Sequence, residues 1–179
     1  MAKNDAAGRG LITLVLGGVR SGKSRYAESL IKALPRPWFY MATGEAKDAE
    51  MTARIAEHKA RRGAGWQTIE APHDLAGALG KVPAGAPVLI DCLTLWLSNR
   101  MLAETDMDQE TDALEAALSR RTGGVVAVAN EVGSGIVPDN ALARRFRDLQ
   151  GLLNQRIAAR ADRVVLMVAG LPLFVKEPQ

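Results

Sequence analysis

The stretch Gly17-Gly18-Val19-Arg20-Ser21-Gly22-Lys23-Ser24 carries the spacing G-x-x-x-x-G-K-[ST]. That spacing suits a phosphate cradle. Glycines let the backbone turn its N–H groups inward, the helix that follows adds its positive pole, and the lysine reaches the β and γ phosphates of a triphosphate. The Ser24 hydroxyl is suited to completing a Mg2+ shell. A competing reading is a glycine turn with a surface lysine. It explains neither the aliphatic run Leu11 to Leu16 just before the loop nor the helical period from Ser24 to Ala33 just after it. Strand, loop and helix in that order are the context the motif requires. A second metal-supporting acid belongs at the end of a neighbouring strand, and Asp91, which closes Pro87-Val-Leu-Ile-Asp91, stands there. Its alternative role is a strand-end cap.

A second chemical feature is His58 in Arg54-Ile-Ala-Glu-His58-Lys59-Ala60-Arg61-Arg62. Helical spacing puts Arg54 (i−4), Arg61 (i+3) and Arg62 (i+4) on its side of a helix. Such cations bind a triphosphate and disfavour the imidazolium, which leaves the ring a neutral nucleophile near pH 7. Attack by its nitrogen on phosphorus gives a phosphoramidate. On these residues alone, a solvated basic helix face is the simpler reading. His73, between Pro72 and Asp74, reads as a residue leading into a helix and takes no role.

The elements that must hold these groups alternate. Short apolar runs at Leu11 to Leu16, Trp38 to Ala42, Pro87 to Asp91, Gly124 to Ala129 and Arg163 to Ala169 are bounded by turn residues or charges, with a weaker one at Trp66 to Glu70. Between them the period is helical: Ser24 to Ala33, Asp48 to Arg62, Leu93 to Glu104, Asp108 to Arg121, and Pro138 to Ala161. The last carries one stripe of Leu142, Phe146, Leu149, Leu153 and Ile157. Strands alternating with helices predict an α/β fold, a mostly parallel sheet with helices on both faces. Gly44 to Val82 is the least regular segment and reads as an insertion beside the sheet. Asn130 to Pro138 reads as a tight turn beneath the site. Asp91 and Glu131 are the positional candidates for a general base.

With 179 residues the chain is the size of one domain, here a polar tail over 1–10 and a single nucleotide-binding catalytic domain over 11–179. One cysteine, Cys92, excludes an internal disulfide framework, and two histidines make a His-rich metal site an unpromising reading. A net charge of +3 suits anionic ligands of any size but is slight for a nucleic-acid coat, and aromatics at 4% argue against base stacking. No apolar run reaches the length of a membrane span. A cytoplasmic protein without nucleic-acid partners or stable membrane insertion is expected.

Taken in order, Gly17 to Ser24, Arg54-Ile-x-x-His58-x-x-Arg61-Arg62, Asp91-Cys-Leu-Thr94 and Asn130-Glu-Val-Gly-Ser-Gly-Ile-Val-Pro138 resemble the motifs of the bifunctional adenosylcobinamide kinase/adenosylcobinamide-phosphate guanylyltransferase family. Ala143-Arg-Arg-Phe-Arg-Asp148 and Gly151-Leu-Leu-Asn-Gln155 are similar to that family too, so the resemblance runs from about Thr13 to Gly170. It implies a RecA-like P-loop NTPase fold, a homotrimer, and two reactions of cobalamin biosynthesis. A nucleoside triphosphate, ATP or GTP, phosphorylates adenosylcobinamide. GMP then passes from GTP, through a covalent guanylyl-histidine at His58, onto adenosylcobinamide phosphate. It also implies nucleotide contacts from Gly17 to Ser24, Ala42-Thr43-Gly44, Lys59-Ala60-Arg61-Arg62, Glu70 and Asp91, with Mg2+ held by Ser24 and Asp91. Some relatives carry Glu at the Asp91 position, and Gly44 stands where relatives often have Ser.

Two other readings compete. A different small-molecule P-loop kinase would transfer the γ-phosphoryl group and form no covalent GMP. A GTPase switch needs an Asn-Lys-x-Asp motif, and here Glu131 and Val132 follow Asn130, while a nucleic-acid motor needs more positive charge than +3.

Overall fold

A computed structural model describes residues 10–178, without the side chains of Arg54 and Arg61. The tail read over 1–10 therefore lies outside the described residues except for Gly10, whose N–H donates to the Arg121 carbonyl at 3.1 Å.

The apolar runs form β1 (Ile12–Gly17), β2 (Trp38–Ala42), β3 (Trp66–Glu70), β4 (Val88–Asp91), β5 (Val125–Asn130) and β6 (Arg163–Val168). All six are parallel, in the order β3-β2-β4-β5-β1-β6, and β7 (Leu171–Lys176) adds an antiparallel edge beside β6. The helices are α1 (Lys23–Lys32), α2 (Ala49–Arg62), α3 (Leu75–Gly80), α4 (Leu93–Leu102), α5 (Met107–Ser119) and α6 (Ala141–Arg160). β1, β4 and β5 are buried almost throughout, because helices cover the sheet on both sides. On one side Ala27 and Ile31 of α1 pack against Val15, Leu89, Val126 and Val128. On the other, Leu75 and Leu79, Trp96 and Leu97, Leu114, and Leu153 and Ile157 bring α3, α4, α5 and α6 against Leu14, Ile90 and Ala127.

Several expectations change in detail. Gly44 to Val82 is not an insertion: β3 pairs in register with β2 from Trp38↔Trp66 to Ala42↔Glu70 and forms the sheet's other edge. The last helix starts a turn later than Pro138, with Asn140 as its cap, because the Asn140 side chain accepts the Ala143 N–H at 2.8 Å. Its stripe buries Leu153 and Ile157, but Leu142 at the overhanging end is 54% exposed. The strand β7 has no sequence counterpart, whereas α3 starts at its Asp74 cap directly after His73, where the sequence reads as leading into a helix.

Arg121, only 3% exposed, stitches the far end of the sheet together. Its guanidinium donates to the carbonyls of Val82 (2.9 Å), Pro83 (2.9 Å) and Ala86, so it satisfies three acceptors in the segment leading into β4. Arg121→Met keeps the bulk and leaves those acceptors unpaired. The expected loss is about 2–3 kcal/mol, read from the urea midpoint at unchanged m-value.

Candidate functional site

The parallel strands end together, and their C-terminal ends carry the chemistry, as open α/β sheets dictate. Register sets the placement. Ala42 pairs with both Asp91 and Glu70, and Gly17 pairs with Asn130, so these residues lie along one edge of the sheet. That edge floors a cleft of about 610 Å³.

One wall is the loop after β1. Gly22, at φ 94°, is the left-handed cap of α1, which lets the loop turn its amides toward the cleft. Lys23, 8% exposed, folds back so that Nζ donates to the Gly18 carbonyl at 2.5 Å. The hairpin tip between β6 and β7 braces the loop, because the Gly170 N–H donates to the Ser21 carbonyl at 3.1 Å. The Ser21 hydroxyl is buried with no partner among the described residues, a polar group that a bound anion would satisfy. Gly22→Ala forces a Cβ into the left-handed region and to 3.3 Å from the Gly170 Cα. Its expected effect is a roughly tenfold rise in nucleotide Kd, measured by titration calorimetry with a non-hydrolysable triphosphate.

The facing wall is α2. Asp48 starts it, its side chain accepting the Met51 N–H at 2.7 Å. Met51, Ile55, His58 and Arg62 fall at i, i+4, i+7 and i+11, and all four line the cleft. His58 Nδ1 stands 3.4 Å from Asp91 Oδ2. The Tyr40 hydroxyl donates to the same oxygen at 3.0 Å. The Arg62 guanidinium lies 3.5 Å from the centre of the Tyr40 ring, and Trp66 meets that ring edge-on at 6.1 Å. At the helix's outer side, Lys59 pairs with Glu70 at 3.5 Å, a solvent-screened contact worth little in stability.

Burial alone would raise the Asp91 carboxyl. The hydrogen bond and charge of His58, with hydrogen bonds from Ser24 and Tyr40, outweigh it and hold Asp91 below the usual carboxylate range. Asp91 is therefore an anion at neutral pH. Burial, reinforced by the Asp91 charge, pushes the Tyr40 hydroxyl far up, so the phenol stays protonated as a donor. Burial likewise pushes the Cys92 thiol up to about 12, aided by Asp91, and leaves it no thiolate to compete as a nucleophile. Ser24 and Asp91 present hard oxygens side by side, the donor chemistry that Mg2+ prefers. Among the described residues no cluster of three or more His, Cys, Asp or Glu gathers to hold a metal.

Of the sequence-derived site residues, Val19 to Ser24, Ala42, Gly44, His58, Lys59, Arg62, Glu70 and Asp91 all line this one cleft. Gly17 lies beneath the loop as the last residue of β1, and Gly18 offers its carbonyl to Lys23. Thr43 is fully buried. Its hydroxyl donates to the Cys92 carbonyl (2.7 Å) and accepts the Cys92 N–H (2.8 Å), which ties the turn after β2 to the start of α4. Ala60 is exposed on the outer face of α2. The side chains of Arg54 and Arg61 lie outside the described residues. Glu131 is committed elsewhere: its carboxylate accepts the Gly133 N–H at 2.7 Å and the Ser134 hydroxyl at 2.8 Å, closing the turn after β5. Tyr40 went unnoticed in the sequence because Trp38 to Ala42 reads as continuous core. The apolar wall of Met51, Ile55 and Leu95 went unnoticed too, its only signal being the helical spacing of Met51, Ile55 and His58.

The fold is similar to that of a Pyrococcus horikoshii OT3 protein, PH0250, at TM-score 0.57 and 9% identity, covering 96% of this chain and 88% of that one. It is also similar to an ATPase from the type III secretion system of pathogenic bacteria, at TM-score 0.56 and 12% identity, covering 88% of this chain and 51% of that one. These likenesses speak to the fold alone, which is the P-loop NTPase fold. Sequence relatives go further. The chain is 48% identical over 166 residues to the bifunctional adenosylcobalamin biosynthesis protein CobP of Pseudomonas aeruginosa, spanning 91% of this chain and 96% of that protein. It is 41% identical over 182 residues to the bifunctional adenosylcobalamin biosynthesis protein CobU of Salmonella typhimurium, spanning 93% and 100%. The pattern of a single family matches residues 13–175, from within β1 to within β7. By that match and by relatives nearly half identical over almost their whole length, the chain belongs to the cobinamide kinase / cobinamide phosphate guanyltransferase family.

Proposed function

We propose that this one cleft performs two successive transfers in cobalamin biosynthesis. It phosphorylates the hydroxyl of adenosylcobinamide with ATP or GTP, then moves GMP from GTP onto the new phosphate by way of His58. The observation that carries the reading is that His58, on α2, shares the cleft with the phosphate loop and faces it across Asp91. A P-loop kinase working without a guanylyl intermediate has no use for an imidazole at that point.

Phosphoryl transfer leaves the protein positioning and charge neutralisation, so one set of donors serves both steps. In the first, the loop amides and Lys23 hold the triphosphate and take up charge as the γ-phosphoryl group moves to the acceptor alcohol. In the second, the same groups hold the β and γ phosphates as departing pyrophosphate while His58 attacks the α-phosphorus. Mg2+, bound through Ser24 and Asp91, would neutralise phosphate charge in both. Arg62 stands on the cleft wall where it meets a triphosphate, its guanidinium kept in place by the Tyr40 ring.

The protein acts as a homotrimer in the cytoplasm on this reading. Exposed apolar residues support contact between copies: Ile136 and Val137 on the turn after β5, and Leu171, Leu173 and Val175 on the edge strand β7. Incubation with α-labelled GTP tests the central claim. Acid-labile, alkali-stable label on the protein is expected, and label surviving on His58→Ala would sink the assignment.

A further inference from the structure

Arg62 is a buried cation in want of a countercharge. Its residue is 6% exposed, and among the described residues no carboxylate pairs with its guanidinium. A charge so placed is costly unless an anion or an aromatic face meets it. We propose that Tyr40 is a positioning residue for the phosphate chain of the nucleotide: its ring is the platform that fixes the Arg62 guanidinium in the cleft, and it does not stack the base. The inference rests on the triphosphate binding proposed above and names the residue that aims one of its cations.

Three observations carry it. Arg62 is the last residue of α2, followed by Gly63 at φ 64°, so the helix steadies its backbone from one side only and leaves a long side chain many rotamers. What holds it is the ring, because the guanidinium carbon lies 3.5 Å from the Tyr40 centroid, in cation–π contact. The ring itself is fixed. It stands mid-strand in β2, Trp66 of β3 meets its edge at 6.1 Å and 88°, and Trp38 backs Trp66 at 5.5 Å. The Tyr40 hydroxyl, donating to Asp91 at 3.0 Å, pins the far end. Third, the same packing closes the ring to a ligand. With Arg62 on one face, Trp66 on the edge and only 4% of the residue exposed, no face remains for a nucleobase.

Arg62 and Tyr40 share the cleft with Gly22, Lys23 and Ser24, so an anion held by the loop is the countercharge within the same cavity. A guanidinium reads phosphate oxygens and is blind to the base beyond them. The Tyr40 contribution is therefore the same for GTP, for ATP and for a phosphate chain with no nucleoside at all.

Equilibrium titration with GTP and with inorganic tripolyphosphate tests this, on the full-length protein and without turnover. Tyr40→Leu removes the platform and is expected to raise both dissociation constants by about tenfold. Tyr40→Phe loses the hydroxyl and keeps the ring, and is expected to recover affinity to within about threefold of wild type. In an Arg62→Ala background, Tyr40→Leu should cost nothing further, because the residue acts through Arg62. If Tyr40→Leu does not fold, Tyr40→Phe bearing one, two or three ring fluorines decides alone. The shape is kept while the ring face loses electron density, so each fluorine is expected to weaken tripolyphosphate binding by about twofold. A loss for GTP with none for tripolyphosphate would make Tyr40 a base platform and overturn the proposal. So would an undiminished cost of Tyr40→Leu in Arg62→Ala, or affinity indifferent to fluorination. Wild-type protein that binds neither ligand overturns this proposal together with the transfer reading, whereas protein that binds GTP and forms no histidine adduct removes the transfer reading alone.

Discussion

His58→Ala is expected to lower guanylyl transfer by about 10⁴-fold or more while phosphorylation of adenosylcobinamide falls by less than about tenfold. The asymmetry follows from where the side chain stands. His58 belongs to α2 and meets the rest of the protein through Asp91, whereas the groups that hold a γ-phosphoryl group belong to the loop after β1. Removing the imidazole removes the one nucleophile that the described residues offer to the α-phosphorus, since the Cys92 thiol, pushed up to about 12, stays protonated. It leaves Lys23, the loop amides and Ser24 untouched. Folding is barely affected, because His58 is a partly exposed side chain on a helix whose cap at Asp48 remains. The two steps are assayed separately, the first by γ-labelled triphosphate and the second by supplying adenosylcobinamide phosphate with GTP. Equal loss of both would mean that the histidine positions the triphosphate rather than attacking it.

The phosphate loop was legible in the sequence because its chemistry is local: eight consecutive residues, a preceding strand and a following helix define it. The parallel strands were legible for a similar reason, since burial on both faces writes continuous aliphatic runs such as Val125 to Ala129. What was not legible depends on register. His58 and Asp91 are 33 positions apart, and nothing in their local spacing pairs them. They meet because β2 and β4 are neighbours that align Ala42 with Asp91, and because α2 then crosses over that edge. Tyr40 is hidden for the same reason, as a polar hydroxyl on a strand that otherwise reads as core. β7 is not legible because an exposed edge strand with both faces in solvent has no alternation to detect, and of α3 only the entry at His73 and Asp74 is legible because six residues hold less than two helical turns. Thr43 shows the converse. Sequence resemblance placed it among nucleotide contacts, and the structure shows its hydroxyl committed to the backbone of Cys92.

Lys23→Met tests whether the two transfers share one site, and both are expected to fall together by about 10³-fold or more. Methionine keeps most of the apolar stem that lies buried at the start of α1, so folding and the loop's path are retained. What disappears is the ammonium, which rests on the Gly18 carbonyl and is within the loop that cradles the β and γ phosphates. During phosphorylation the β-phosphate side is the leaving group. During guanylylation the β and γ phosphates leave together as pyrophosphate. Negative charge therefore grows beside the same ammonium in each transition state, although the bonds broken are different ones. An interaction made in both transition states costs both rates when it is removed, and with a similar factor. Separate kcat/KM measurements, set beside nucleotide affinity for the same variant, distinguish lost binding from lost transition-state stabilisation. If guanylyl transfer in Lys23→Met stayed near wild-type while phosphorylation collapsed, GTP would have to bind His58 in a second orientation away from the loop. The cleft between α2 and β1 would then be a site for phosphorylation alone.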